Sequence, residues 1–296
     1  QNQVQTGFSR DDLFVCVHEQ FMTETARVAD IVLPATMFLE HDDIYQGGGH
    51  QHIILGPKIV EPPDGCRNNH EVICALAERL GAKHAGFELT PREIIDWTLQ
   101  HSGWGTLSEI EAARWIDCQP PFNQAHYIDG FGHSDGKFHF AVDWTQFAPH
   151  GFGPQGADAL PPRLPDHWTS IEEATAEMPF RLVTAPARHY LNSTFNETSS
   201  SIRRERNPSV LIHPEDAQAL QVEAGAMVTL GNDRGRLDLA VEIFDGVQRG
   251  VVIVESIWPN AAFPGGQGIN VLTGADPVSP TGGAAFHDNR IWIKSA

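Results

Sequence analysis

A loop near residue 190 carries four side chains that are suited to binding a ligand. The residues are Arg188, His189, Tyr190 and Asn192, and they follow a predicted strand that ends at Thr184. A guanidinium presents its N–H donors in a rigid planar fork, which matches phosphate and carbonyl oxygens. We therefore expect this loop to bind and orient a ligand, and we assign it no catalytic acid, base or nucleophile.

Two later loops add side chains that can pair with the edge of a nucleobase. Asn270 offers both a donor and an acceptor through its carboxamide, and Asp276 can accept a hydrogen bond from an amino group. Ser279, His287 and Asp288 follow on the last loop. Turn chemistry is the alternative for Asn270 and Asp276, and a structural role is the alternative for His287.

A third polar group lies near the start of the chain, at Thr23, Glu24 and Thr25. Thr23 can cap a short helix that begins at the next residue. A hydroxyl and a carboxylate in this position can hold a ribose or the N–H groups of a base. A plain capping turn is the alternative.

Two apolar segments flank this turn and predict how it is positioned. Residues 13–18 and 31–35 are rich in β-branched side chains, which is typical of buried strands. Together with the short helix they form a compact β-α-β unit with parallel strands. Ligands bind beyond the carboxyl ends of such strands, so we expect residues 19–25 and 35–43 at a ligand-binding edge.

His50 and His52 alternate on a predicted strand and could form a metal site with Asp42. The glycine triplet at residues 47–49 favours instead a tight turn or a close approach of the backbone to a ligand.

Cap residues and apolar periodicity predict the remaining elements of the first half. Helices are expected at residues 68–81, 90–99 and 106–116, and strands at 53–60 and 136–140. Trp97 and Trp115 occur at core spacing, so we expect both to be packed inside.

The last third of the chain contains many short β-like segments and little helix. Strands are expected at residues 180–184, 209–212, 227–230, 236–242, 251–255 and 291–293, with one helix at 214–220. A turn at residues 232–235 joins two of the strands as a hairpin. Such a set favours a closed barrel.

Residues 147–166 are rich in proline and glycine, which predicts a linker.

Length and charge narrow the class of protein. The chain has 296 residues, enough for two domains, and a net charge of -18. Residues 179–296 carry 10 basic against 12 acidic side chains, so the acidity is concentrated in the first part. Nucleic-acid binding requires clustered Lys and Arg and is therefore excluded.

No apolar run approaches the roughly 18 residues of a membrane span, and the first residues do not resemble a signal peptide.

Four cysteines stand at positions 16, 66, 74 and 118, without a C-x-x-C pair. This spacing gives no indication of a zinc ribbon or an iron–sulfur motif. Cys16 and Cys74 lie in apolar segments, so we expect buried free thiols and a reducing, cytoplasmic location.

The order of these motifs resembles a known family. The sequence at residues 21–26, followed by residues 29–35 and much later by 268–277, is similar to the molybdopterin-dinucleotide oxidoreductase superfamily of dimethyl sulfoxide reductases and formate dehydrogenases. The resemblance implies an α/β protein, with a partial parallel α/β sheet domain followed by a double-psi β-barrel. It implies domains at residues 1–120 and 179–296, joined by a linker and wrapping segment at 121–178.

The resemblance also implies a cofactor, molybdopterin guanine dinucleotide with molybdenum or tungsten. It assigns no catalytic residue and no metal ligand to this chain. The implied cofactor-binding residues are Thr23, Glu24, Thr25, Arg188, His189, Tyr190, Asn192, Asn270, Asp276 and His287.

The chain is expected to be the C-terminal portion of a catalytic subunit. In many members the earlier part carries the metal-binding residue and cysteines for an iron–sulfur cluster. The expected partners are therefore that N-terminal part, a small-molecule substrate and an electron-transfer protein, without nucleic acid and without a membrane span. Glu40 fits the family pattern, whereas residues 41–52 depart from it, which indicates a divergent branch and leaves the substrate open.

Two other functions stay open at this point. One is a non-catalytic molybdopterin-binding or assembly subunit built from the same two domains. The other is an interaction module that kept the fold and lost the ligand.

Overall fold

The computed structural model describes residues 1–146, 160–164, 166, 172–190, 194–255, 258–275, 277–278, 283–284 and 286–296. The chain divides into two compact units, Thr6–Phe138 and Gln1–Gln5 with His139–Ala296. The domain boundaries near residues 120 and 178 stay predictions.

The first half of the chain contains six helices and five strands among the described residues. They are α1 (Asn2–Phe8), β1 (Cys16–Glu19), α2 (Glu24–Arg27), β2 (Ile31–Pro34), β3 (Asp43–Gln46), β4 (His52–Gly56), α3 (Asn69–Leu80), α4 (Pro91–His101), α5 (Leu107–Ala113), β5 (Trp115–Asp117) and α6 (Phe122–Ala125).

The predicted β-α-β unit is confirmed, but its two strands are not buried as expected, since every residue of both strands is exposed or half-buried. Strands β1 and β2 pair in parallel, with Cys16 opposite Ile31, and α2 lies between them in the sequence. Within the described residues, neither strand pairs with a third. The polar turn at α2 therefore begins beyond the carboxyl end of β1, where the sequence predicted a ligand-binding edge.

A second small sheet carries the hydrophobic core of the compact unit Thr6–Phe138. Strands β3, β4 and β5 pair antiparallel in that order. Ile53 and Leu55 on β4 pack with Ile95, Leu99 and Ile110 from α4 and α5. The predicted strand at 53–60 therefore exists but ends early, because the chain leaves the sheet after Gly56.

Three predictions for this half are wrong. Trp97 and Trp115 are 55% and 51% exposed, because they lie outside the small core beneath β4. Residues 136–140 form no strand, since they have alternating side chains but no neighbouring strand to pair with. Cys16 is exposed rather than buried, because the two-stranded sheet leaves its position uncovered, and Cys74 is only half-buried.

The last part of the chain forms the predicted barrel. Its elements are β6 (Phe180–Ala185), α7 (Ser199–Glu205), β7 (Ser209–Ile212), α8 (Pro214–Leu220), β8 (Met227–Gly231), β9 (Arg236–Ile243), β10 (Val251–Glu255), β11 (Pro277–Val278), β12 (Gly283–Ala284) and β13 (Asn289–Ser295).

Six of these strands close in the order β10-β6-β13-β8-β9-β7. Two of the pairs are parallel, β6 with β10 and β7 with β9, and the other four are antiparallel. This arrangement confirms the double-psi β-barrel. Alternating side chains such as Leu182, Val210, Leu239 and Val252 are fully buried, and they fill the interior.

The structure contains no helix, among the residues it describes, that is both long and apolar enough to cross a bilayer.

Candidate functional site

Thr23 caps α2, as predicted. Its hydroxyl accepts a hydrogen bond from the backbone N of Ala26 at 3.2 Å, and Ala26 is buried beneath the turn. Glu24 and Thr25 are exposed on the same turn. The capping bond occupies one lone pair of Thr23, so its hydroxyl proton and the Thr25 hydroxyl are the groups that a ligand could meet.

The loop after β6 presents Arg188 to solvent. Ala187 and Tyr190 on either side are 6% and 5% exposed, so the backbone is anchored while the guanidinium points outward. Within the described part of the chain, the Arg188 side chain has no ion pair or hydrogen bond. A cation held on an anchored loop is suited to an anionic ligand.

His189 fixes this loop to a helix that the sequence did not predict. Its backbone N donates to the carboxylate of Glu205, at the end of α7. Such charge-assisted bonds are stronger than neutral ones. The contact holds the His189 backbone and leaves its imidazole half-buried beside Arg188.

Tyr190 is the buried member of the group. Its ring packs edge-on against Trp258, with centroids 5.2 Å apart. Burial raises the pKa of the phenol, and the carboxylates of Glu205 and Glu197 raise it further, so the hydroxyl stays protonated. That hydroxyl has no hydrogen-bond partner among the described residues. Unpaired buried polar groups are rare in native proteins, so the hydroxyl marks a place for a ligand atom or a water.

Asn270 lies on a short 3-10 helix, Ile269–Val271. Ile269, Val271 and the following Leu272 are buried at 4%, 2% and 0% exposure, whereas Asn270 is exposed. Its carboxamide makes no hydrogen bond to a described residue, although its backbone oxygen accepts from Thr273. Three buried neighbours therefore hold one free carboxamide at the surface.

His287 lies beside the end of β6. Its Nδ1 is 3.2 Å from the hydroxyl of Thr184, and the neighbouring Asp288 faces Arg181 at 3.8 Å. These contacts bring the His287 loop to the strand that leads into the Arg188 loop.

Two predicted residues, Asn192 and Asp276, lie outside the described residues, as does Ser279. Arg188, His189 and Tyr190 share one loop, and Thr184 joins the base of that loop to His287. Thr23, Glu24 and Thr25 belong to the other compact unit and are described separately.

His50 and His52 do not form a metal centre in the described structure. His50 Nδ1 accepts a bond from the backbone N of His52, and the His52 ring packs edge-on against Trp115. No group of three or more His, Cys, Asp or Glu residues is arranged to hold a metal ion in the described ranges.

Two segments of the chain, one at each end, match family models of one superfamily. Residues 180–290 match the model described as the molydopterin dinucleotide binding domain, and residues 1–79 match that of molybdopterin oxidoreductase. The chain belongs to the molybdopterin-dinucleotide oxidoreductase superfamily. The cofactor class that the sequence implied is therefore confirmed at the level of the family.

Two curated relatives are similar along most of the chain. The probable oxidoreductase YoaE of Bacillus subtilis is 29% identical over 99% of this chain and 42% of its own length. The dimethyl sulfoxide/trimethylamine N-oxide reductase of Rhodobacter capsulatus is 27% identical over 87% of this chain and 34% of its own length. The chain thus spans less than half the length of these relatives.

A solved structure shares the fold. Acetylene hydratase from Pelobacter acetylenicus superposes with a TM-score of 0.76 at 20% identity, over all of this chain and 42% of its own. At this identity the likeness supports the fold alone.

Several hydrogen-bonding groups on the barrel have no partner among the described residues and have the chemistry that a dinucleotide ligand requires. They comprise a guanidinium at Arg188, a phenol at Tyr190 and a carboxamide at Asn270, all within the range matched by the dinucleotide binding domain. Guanidinium groups suit phosphates, and carboxamides suit base edges.

Several residues that hold these loops were not predicted from the sequence. Glu205 anchors His189, and Asn232, Arg234 and Glu172 bind the backbone around the other two loops. The polar residues of the turn at 232–235 indicate a hairpin from the sequence, but they do not indicate the contact with Leu272. No local sequence pattern indicates the role of Glu172, because its partners Arg234 and Arg290 are 62 and 118 residues away.

Proposed function

We propose that this chain is the C-terminal, cofactor-binding part of a molybdenum or tungsten oxidoreductase that uses a bis-pyranopterin guanine dinucleotide. The observation that carries the proposal is a set of anchored hydrogen-bonding groups that have no partner among the described residues, inside the segment that matches the dinucleotide binding domain. One relative named as a probable oxidoreductase and another named as a dimethyl sulfoxide/trimethylamine N-oxide reductase support the oxidoreductase class.

Each predicted residue has a binding role in this proposal. Arg188 would hold a phosphate or a pterin carbonyl, with His189 beside it and Tyr190 donating from its buried hydroxyl. Asn270 would pair with a guanine edge, and His287 would border the same ligand. Asn192 and Asp276 are proposed on sequence grounds only.

The remaining group, Thr23, Glu24 and Thr25, would contact the other guanosine end of the cofactor. Their support is the turn beyond the carboxyl end of β1 and the match of residues 1–79 to the oxidoreductase family.

When bound, the cofactor would supply oxygen-atom or hydride-equivalent transfer at its metal. The residues of this chain would bind it, orient it and tune its surroundings by hydrogen bonding. We propose no catalytic acid or base here, and we expect the chain alone to be inactive. The metal-binding residue, the substrate contacts, an iron–sulfur cluster and an electron-transfer partner would belong to the rest of the enzyme.

A cytoplasmic location is part of the proposal. All four cysteines are free, and free thiols persist in reducing compartments.

The Asn270→Ala variant tests the proposal in the complete product of the gene. The substitution removes only an exposed carboxamide between buried neighbours, so the fold should survive while guanine binding weakens. Loss of one hydrogen-bonded base edge should reduce retention of the dinucleotide by about tenfold. Retention is measured by oxidising the released pterin and reading its fluorescence after dialysis.

The matched control is Asn69→Ala, which removes another exposed carboxamide in the other unit. Equal retention in parent and Asn270→Ala would contradict the role of Asn270. Pterin without metal in the parent would instead favour the carrier or assembly subunit.

A further inference from the structure

A carboxylate that precedes the barrel ties two of the candidate loops together. Glu172 accepts two hydrogen bonds from Arg234, Nη1 to Oε1 at 2.7 Å and Nη2 to Oε2 at 3.0 Å. The same Oε2 accepts from the backbone N of Arg290 at 3.0 Å. Arg290 lies on β13, three residues after His287, so Glu172 fixes the end of the His287 loop.

The same guanidinium reaches the loop that carries Asn270. Nε of Arg234 donates to the backbone oxygen of Leu272 at 3.0 Å, and Asn232 Nδ2 donates to that oxygen at 2.8 Å. Leu272 lies two residues after Asn270. Arg234, on the turn between β8 and β9, therefore joins Glu172 to the segment that presents Asn270.

The shape of this contact depends on arginine. The guanidinium bonds two carboxylate oxygens through Nη1 and Nη2 and a carbonyl through Nε, which a lysine ammonium cannot reproduce in one geometry. The Glu172 side chain is 24% exposed and that of Arg234 is 33% exposed. A bidentate pair that is partly shielded from water is more directional than an ordinary surface ion pair.

We propose that Glu172 and Arg234 are positioning residues of the dinucleotide site, which hold the Asn270 and His287 loops at a fixed spacing. They act through the backbone of Leu272 and Arg290, without contact with the ligand. Loops ordered in advance lose less entropy on binding, so the pair should raise affinity for the cofactor. The identity of the ligand in this inference rests on the proposed function.

The first test measures the loops without reference to the cofactor. Glu172→Gln is nearly isosteric but cannot accept the full bidentate bond from Arg234. Hydrogen–deuterium exchange of the complete gene product should show amides in residues 269–275 and 286–290 exchanging about tenfold faster, as expected for the loss of a charge-assisted bond. Exchange in β7 should be unchanged. Unchanged exchange in both loops would overturn the inference.

The second test measures cofactor retention in the same protein. Glu172→Gln and Arg234→Lys should each lose oxidisable pterin about tenfold faster than the parent on dialysis. Arg249→Gln is the control, because it breaks the ion pairs of Arg249 with Glu215 and with the largely buried Asp216, neither of which contacts either loop. Arg234→Lys keeps the positive charge, and it replaces Glu172→Gln as the test variant if Glu172→Gln does not fold.

The outcomes separate the two proposals. A parent protein that holds no pterin would overturn the proposed function and this inference with it. A parent that holds pterin, with equal retention in the variants, would overturn the inference alone. So would a loss of pterin that only follows a lower melting temperature, because a positioning role predicts loss from protein that is still folded.

Discussion

At the scale of single residues, the candidate site is marked by hydrogen-bonding capacity that the fold leaves unused. Tyr190 is the clearest case, because its hydroxyl is buried and unpaired among the described residues. Most polar residues nearby are engaged, as Thr184 and Glu205 show. A buried donor without a partner costs free energy in the empty protein and recovers it when a ligand accepts the bond.

Tyr190→Phe should therefore have opposite effects on stability and on binding. Without ligand, removal of an unpaired buried hydroxyl should leave the free energy of unfolding unchanged or slightly higher. Retention of pterin by the complete protein should fall. Urea unfolding and pterin fluorescence measure the two effects. Tyr45→Phe is the control, because that hydroxyl bonds the backbone oxygen of Phe38. A destabilised Tyr190→Phe variant with full pterin retention would contradict this role.

Glu172 should make barrel stability depend on acid pH. Partial burial raises the pKa of this carboxyl, but hydrogen bonds from Arg234 and the Arg290 backbone outweigh burial, so the pKa lies below its ordinary value. A carboxyl with a lowered folded pKa stabilises the protein above its unfolded pKa, near 4.3, and loses that contribution as the pH falls through the folded value.

Urea unfolding of the parent and of Glu172→Gln at pH 7 and below pH 4 tests this dependence. At pH 7 the parent should have the higher free energy of unfolding, and below pH 4 the difference between parent and Glu172→Gln should become smaller. Glu223→Gln removes an exposed carboxyl from the same unit and should show no such change. A difference in the free energy of unfolding between parent and Glu172→Gln that stays constant with pH would contradict this explanation.

At the scale of elements, the sequence predicted best where the signals are local. Asn68, Thr90 and Thr106 each form a capping box with a glutamate three residues later, and helices α3, α4 and α5 begin there as expected. Strand ends were less accurate, since they depend on pairing with distant strands. The clearest failure is residues 136–140, where alternation exists without a partner strand.

Asn68→Ala should destabilise the unit that contains α3. The variant loses the hydrogen bond that the backbone N of Glu71 donates to Oδ1 of Asn68 at 2.9 Å. Loss of such a cap costs about 1 kcal/mol in the free energy of unfolding. Asn69→Ala changes the next, exposed residue and should alter stability by less than about 0.5 kcal/mol. Equal urea midpoints for the two variants would show that the cap does not contribute.

At the scale of the whole molecule, the sequence identified both parts of the superfamily and their order. The barrel was predictable because its strands alternate strongly and its turns carry glycine. The contacts of Glu172 were not, since they join segments 62 and 118 residues apart and leave no local pattern. Side-chain pairs of this kind emerge only when the barrel closes.

The small parallel sheet predicts self-association of residues 1–296 expressed alone. Strands β1 and β2 pair only with each other among the described residues, and Ile31 on β2 is 46% exposed. Unpaired strand edges with apolar side chains favour pairing between copies. Ile31→Lys should shift sedimentation toward monomer, whereas Leu80→Lys, at the exposed end of α3, should not. A monodisperse monomer for the unmodified chain would contradict this prediction.

We propose, as the central point, that this chain binds a molybdopterin dinucleotide and its metal as part of a larger enzyme. The most direct measurement is the content of pterin, guanine nucleotide and metal in the complete gene product made by a host that synthesises the cofactor. The account predicts about two pterins and two guanine nucleotides for each molybdenum or tungsten atom, as a bis-dinucleotide cofactor requires. Protein that is folded but contains neither pterin nor metal would contradict it.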